Sequence, residues 1–252
     1  MIKIGLFGFG NLGQHLATHL NSAEGLDLVQ IYSPSPSQRH TSFQGVDLIS
    51  DLNQLKAADL YIAAISDDAI ADLSQKLPKD ICLVHTSGTV EMDVLSRQSK
   101  RGVFYPLQSF SKNHDVRFDQ IPICLESNDT ETMTLLEQVA HKLSKKVVHI
   151  DSPQRLELHF GAVLVNNFTN HLYALSQNHL KNKGINFDLL HPLIEETTRK
   201  ALSIGADAAQ TGPAKRGDFK TIERHISLIE DQKLKEIYNL LSDSIRNHSK
   251  SK

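Results

Sequence analysis

The chain lacks tryptophan altogether, holds two cysteines in 252 residues, and has no apolar run approaching membrane-spanning length. Cys82 and Cys124 each sit in a short apolar run that reads as a strand. They are expected to be buried, reduced thiols rather than a disulfide, which fits a cytoplasmic protein. No excess of one charge exists: 27 Lys and Arg face 29 Asp and Glu, a net charge of −2. Nucleic-acid or membrane-surface binding is therefore not expected. The 13 histidines are scattered, with no Cys/His pair at zinc-ligand spacing, so no metal site is expected. No GxSxG occurs, so a serine-hydrolase elbow has no support. The first strand starts at once, so no signal peptide is expected.

What the chain does have begins at its second residue. The apolar run 2–7 leads directly into Gly8-Phe9-Gly10-Asn11-Leu12-Gly13. A buried strand, a glycine-rich turn and a helix in that order are the fingerprint of a dinucleotide-binding βαβ unit. Gly8 allows the tight turn, Gly10 lets the backbone approach a pyrophosphate, and Gly13 lets helix and strand pack closely. Leu12, Leu16 and Leu20, with Ala17, give the following helix one apolar stripe.

Up to residue 151 the pattern alternates. Strands are predicted at 2–7, 28–32, 46–49, 60–65, 81–85, 103–105, 121–125 and 147–150. Helices are predicted at 68–77, 91–98 and 130–144. At Ser152-Pro153 the texture changes, serine suiting a helix N-cap and proline the first helical position. Beyond lie only helical patterns: one long helix over 154–182 closed by Gly184, then 187–203, 220–229 and 232–247, with a frayed tail from Ser249. The reading is α/β: a Rossmann-type, doubly wound, mainly parallel sheet over 1–151, followed by an all-helical domain over 152–252.

NAD-binding units carry an Asp or Glu about 20 residues past the fingerprint, on the ribose hydroxyls. Residues 32–40 contain no carboxylate; they offer Ser33, Ser35, Ser37 and Arg39. An adenosine 2′-phosphate is welcome there, which favours NADP(H). The cofactor-facing set is Gly8 to Gly13 with Ser33, Ser35 and Arg39, and Ile65, Ser66 and Ser87 at later strand ends.

Chemistry is expected beyond the carboxyl ends of the strands. Ser66-Asp67-Asp68 ends the fourth strand, with Asp67 read either as a site residue or a helix cap. His85-Thr86-Ser87-Gly88 ends the fifth, its small residues suited to line a nicotinamide. Tyr105 ends the sixth, as a proton donor or an ordinary strand-end aromatic. On the long helix, His159, Asn166 and Asn170 are spaced seven and four residues apart, so an α-helix puts them on one face, with Asn167 and His171 beside it. His159 is the first choice for a proton donor and Asn167 for orienting a substrate; both also fit structural roles. The loop Thr211 to Asp218 carries Lys215 and Arg216, suited to an anion or to solvent, and Asp218 is a candidate cap.

GFGNLG at 8–13, HTSG at 85–88, YPLQSFS at 105–111, LHFGAVLVNNFTNHL at 158–172 and TGPAKRGD at 211–218 together resemble an uncharacterised bacterial family. That family pairs a Rossmann-like domain with a C-terminal helical domain of unknown function. Its architecture is similar to pyrroline-5-carboxylate reductases, 3-hydroxyisobutyrate dehydrogenases and 6-phosphogluconate dehydrogenases. The resemblance implies NADP(H) binding and a homodimer built through the helical domain. It departs at one place: 3-hydroxyacid dehydrogenases carry Lys-x-x-Asn-Asn, and here Asn166 and Asn167 follow Val163, not lysine. Close members often have histidine where Tyr105 stands. The expected function is an NADP(H)-dependent reductase or dehydrogenase acting on a small carbonyl or imine between the domains. The alternatives are a non-catalytic NADP(H) sensor and a dimerisation module that no longer binds nucleotide.

Overall fold

The computed structural model describes residues 1–34, 43, 45–112 and 114–250. Ser35 and Arg39 lie outside the described residues, as do Ser251 and Lys252. Eight strands form one sheet: β1 (Ile2–Phe7), β2 (Leu26–Tyr32), β3 (Asp47–Ile49), β4 (Leu60–Ala63), β5 (Cys82–His85), β6 (Lys100–Pro106), β7 (Ile123–Ser127) and β8 (Val147–His149). Their order is β3-β2-β1-β4-β5-β6-β7-β8. Every pairing is parallel except the antiparallel β6–β7. The order turns back at β1, which lies between β2 and β4, so the glycine turn sits at the topological switch point.

Alternation along the strands sends side chains to two cores. Ile4, Leu6, Leu60, Ile62 and Val84 pack with helix α1 (Asn11–Ser22) and helix α3 (Thr130–Leu143). Phe7, Tyr61, Ala63 and Leu83 pack with helix α2 (Asp67–Lys76) and with Leu95. A helix layer on each face is what keeps a parallel sheet apolar on both sides. Each fully buried Leu or Ile contributes about 1.5–3 kcal/mol.

Two predicted elements changed form. The helix expected over 91–98 is a single 3-10 turn, Met92–Leu95. The chain leaves that turn so that the buried Gln98 amide can accept from Ser74 Oγ (2.7 Å) and donate to Ser74 O (3.0 Å). The long helix is α4 (Ser152–Ala162), a π turn (Val163–Phe168) and α5 (Thr169–Asn182). A π turn bonds i to i+5 and takes up an extra residue per turn. The face-sharing inferred for His159, Asn166 and Asn170 assumed α bonding throughout and does not survive it.

By packing, the chain divides into compact units 1–166 and 167–252. The change from mixed to all-helical texture does fall at residue 152, but α4 packs with the sheet unit. The second unit contains α5, α6 (His191–Ile204), α7 (Ala206–Ala209), α8 (Pro213–Arg216), α9 (Phe219–Leu228) and α10 (Gln232–Lys250). Helix α10 runs through Ser249, where a frayed tail was expected to begin. Gly184, at φ +69°, follows α5, and Asp218 caps α9 by accepting from Thr221 N–H (3.1 Å). Of the side chains described in this unit, Ala214 alone is fully buried. Among the described residues no helix is long and apolar enough to cross a membrane.

Candidate functional site

The glycine turn shows which of its glycines the protein itself requires. Gly8 has φ +95°, and a Cβ there would press on the Ala64 carbonyl carbon at 2.8 Å. A Cβ on Gly13 would meet the Gly8 carbonyl carbon at 2.9 Å. Gly10 differs: among the described residues a Cβ there meets no atom within 4 Å, and its φ is an ordinary −75°. None of the described residues excludes a side chain at 10, so the open cradle fits close approach by a ligand. Helix α1 has no side-chain cap and no acidic residue in its first turn, which leaves N–H groups facing the cradle. The residues present fit a dinucleotide pyrophosphate. Ser33 is buried at the end of β2, its N–H bonded to Ile49 O at 2.9 Å. Ile65 is half-buried, and the exposed Ser66 precedes α2 without a side-chain cap bond.

At the end of β5, residues 85–88 are all buried. Burial, with the nearby Arg155 charge, pushes His85 down to about 4, so it is neutral. Its Nδ1 accepts from Ser87 N–H at 3.2 Å, which leaves the ring proton on Nε2, facing Glu91 O at 3.4 Å. Ser87 Oγ accepts from Thr89 N–H (3.1 Å) and Val90 N–H (3.0 Å), so this predicted cofactor residue shapes its own turn. Asp67 accepts from Thr89 Oγ1 at 2.6 Å and thus ties α2 to the same turn.

Next to this turn stands a pair that sequence spacing did not connect. Tyr105, near the carboxyl end of β6, has its hydroxyl 3.0 Å from His159 Nδ1 on α4. Tyr105 is 9% exposed, and burial pushes its phenol up to about 12. Gly88 lies against both: a Cβ there would be 2.8 Å from His159 Cγ and 3.0 Å from Tyr105 Cζ.

One turn before His159 is Arg155, 1% exposed, which sequence reasoning missed. Its guanidinium pairs with Glu126 on β7 and donates to Val90 O (2.5 Å) and Ser152 Oγ (3.0 Å). Ser152 Oγ also donates to Glu126 and accepts from Met92 N–H at 3.0 Å. Serine 152 is therefore not the helix cap; Asp151 is, in a capping box with Gln154. The only hint in the sequence was Glu126, a carboxylate closing an otherwise apolar strand. Together these contacts pin α4 to the sheet and hold His159 against Tyr105.

Asn167 belongs to the second unit, within the π turn, where its side chain is exposed. In the same unit Lys215 lines a cavity of about 440 Å³ with Asp207, Gln210 and His248, while Arg216 is exposed. Among the described residues no cluster of three or more His, Cys, Asp or Glu is placed to hold a metal.

A family profile described as Domain of unknown function (DUF2520) matches residues 121–245. A Bacteroides fragilis protein, provisionally named an NADP oxidoreductase, is 38% identical; the match covers 98% of each chain with TM-score 0.89. An Aspergillus terreus reductive aminase, solved with NADPH and ethyl levulinate, is 15% identical over 98% of this chain and 94% of that one (TM-score 0.70). A Plasmodium falciparum pyrroline carboxylate reductase with NADP bound is 13% identical over 99% and 97% (TM-score 0.58). The last two are alike in fold alone. No curated protein matches the sequence.

Proposed function

The chain belongs to the family described as Domain of unknown function (DUF2520), and within it we propose that this protein is an NADP(H)-dependent oxidoreductase. The observation that carries the reading is the Tyr105–His159 pair against Gly88, at the carboxyl ends of β5 and β6. Those ends lie on the same edge of the sheet as the open cradle at Gly10, because β1, β4, β5 and β6 run parallel. NADPH, when bound, supplies the hydride. The backbone of residues 8–13 holds its pyrophosphate, with Phe9, Asn11 and Leu12 at the helix entrance. Ser33, Ser35 and Arg39 take the 2′-phosphate, in keeping with the lack of a carboxylate after β2. Ile65, Ser66 and Ser87 border the dinucleotide.

In this reading the substrate is a small carbonyl or imine. His159 supplies the proton to the carbonyl oxygen or imine nitrogen, and Asn167 orients the substrate. The NADPH and NADP complexes of the fold neighbours support the cofactor choice. Cys82 and Cys124 are free and buried, which supports a reducing, cytoplasmic setting. The partner we propose is a second copy of the chain, docked through the helical domain. Leu193, Leu202, Phe219 and Leu240 are 53–84% exposed, while Ala214 is the one buried residue among those described in the unit 167–252. A unit with so little core of its own needs another surface to cover it.

Val163, at the position where 3-hydroxyacid dehydrogenases carry lysine, favours a second reading as a non-catalytic NADP(H) sensor. Titration with NADPH, followed by a carbonyl and imine panel read by NADPH absorbance, separates the two. Binding with turnover supports the enzyme. Binding without turnover across the panel supports the sensor, and no binding contradicts both.

A further inference from the structure

The Tyr105 hydroxyl is a buried donor, and a buried O–H without an acceptor is costly. Among the described residues its hydrogen-bond partner is His159 Nδ1, at 3.0 Å. A neutral imidazole carries its proton on one nitrogen and a lone pair on the other. With the proton on Nδ1, the ring would donate to the phenol oxygen and the phenol proton would have nowhere to go. With the lone pair on Nδ1, the phenol donates, and the ring proton moves to Nε2. The second arrangement satisfies both groups and is favoured by roughly ten-fold or more. Burial pushes the phenol up to about 12, so at neutral pH the resting site holds it protonated and the donor is present. Gly88 keeps the ring in register, since any side chain there would displace it.

We propose that Tyr105 is a positioning residue that locks His159 as the Nε2–H tautomer, and that the atom His159 meets is a carbonyl oxygen. The substrate half of this rests on the oxidoreductase reading above. Nε2–H is a donor, and His159 is partly exposed; when Nε2 gives that proton to the oxygen, Nδ1 takes the Tyr105 proton along the 3.0 Å bond, so the ring stays neutral and water later reprotonates the phenolate. A donor is complementary to an acceptor. A ketone or aldehyde oxygen accepts through either lone pair, whereas a protonated imine presents its own N–H and would set donor against donor. The site is thus matched to carbonyl reduction and mismatched to iminium reduction.

The test uses the full-length protein labelled with ¹⁵N at histidine, with His159 assigned by comparison with His159→Gln. Long-range proton–nitrogen correlation reads the tautomer directly, without cofactor or substrate. The expected spectrum has Nδ1 unprotonated and Nε2 protonated, and Tyr105→Phe lowers that ratio by about ten-fold. Nδ1–H as the main wild-type form overturns the lock, as does an unchanged ratio in Tyr105→Phe. Should Tyr105→Phe fail to fold, the wild-type spectrum decides alone. In a second arm, NADPH oxidation is followed with a panel of ketones and aldehydes led by ethyl levulinate, and with cyclic imines such as methylpyrroline. Carbonyl turnover in preference to imines supports the match. Imine turnover in preference overturns it and leaves the oxidoreductase reading intact. No oxidation with either panel overturns that reading and the substrate match with it, while the tautomer result stands on the spectrum.

Discussion

Replacing Gly88 with alanine is the sharpest structural perturbation of the candidate site. The residue does not have a positive φ, so its backbone accepts alanine. The new Cβ would fall 2.8 Å from His159 Cγ and 3.0 Å from Tyr105 Cζ, closer than carbon atoms pack. The imidazole is the softer neighbour, being the end of a rotatable side chain, and it gives way by about 1 Å. That breaks the 3.0 Å Tyr105–His159 bond. Overpacking costs about 1–3 kcal/mol and the lost bond about 1 kcal/mol, less than a typical domain's stability. Catalysis suffers far more, because a 1 Å misplacement of a reacting group costs on the order of 10²-fold. Urea unfolding and NADPH-oxidation kinetics of Gly88→Ala measure the two effects side by side. A folded variant that keeps full turnover refutes the placement of His159 and Gly88 at the reacting centre.

Three further outcomes are expected. Gly10→Ala leaves urea stability unchanged to within about 0.5 kcal/mol, since its Cβ meets no atom of the described residues, but weakens NADPH binding at least about ten-fold, read by fluorescence titration. Equal losses of stability and affinity would mean that Gly10 serves the fold instead. Arg155→Met strands Glu126 without its cation and destabilises by about 3–5 kcal/mol in urea unfolding, with part restored in Arg155→Met/Glu126→Gln; a loss under about 1 kcal/mol would contradict the buried pair. His85 is lowered from 6.5 to about 4, so between those values the unfolded chain binds the proton that the folded chain refuses. Its contribution is full above pH 6.5 and falls as pH drops, by about 2 kcal/mol from pH 6.5 to 5, a loss that His85→Gln removes. The same pH slope in wild type and variant would count against it.

Much of the fold was legible because the signals are local. The run 2–7 and the three glycines announce strand, turn and helix within a dozen residues, and each later strand is a short apolar burst between turn residues. The cap of α4 was misread by one position because Asp151 and Ser152 are both good caps. Only the tertiary demand for Ser152 Oγ, between Glu126 and Met92, decides between them. The π turn was invisible because Val163 to Phe168 has nothing in composition that distinguishes i→i+5 from i→i+4 bonding. His159 and Tyr105 were each visible as candidates, yet their pairing was not, since 54 residues separate them. Arg155 was missed because an arginine on a helix reads as a solvated charge until its acceptors on β7 and beyond β5 are in place. The sheet edge that gathers these groups follows from strand order, which is fixed by long-range pairing.

The central claim is that His159 acts on a substrate reduced by NADPH bound at the glycine turn. It is tested most directly by NADPH titration and NADPH-oxidation kinetics of wild type and His159→Ala side by side. The account predicts saturable NADPH binding by both proteins and a turnover loss of about 10²–10⁴-fold in the variant. Full turnover by His159→Ala, or no NADPH binding by the wild type, would contradict it.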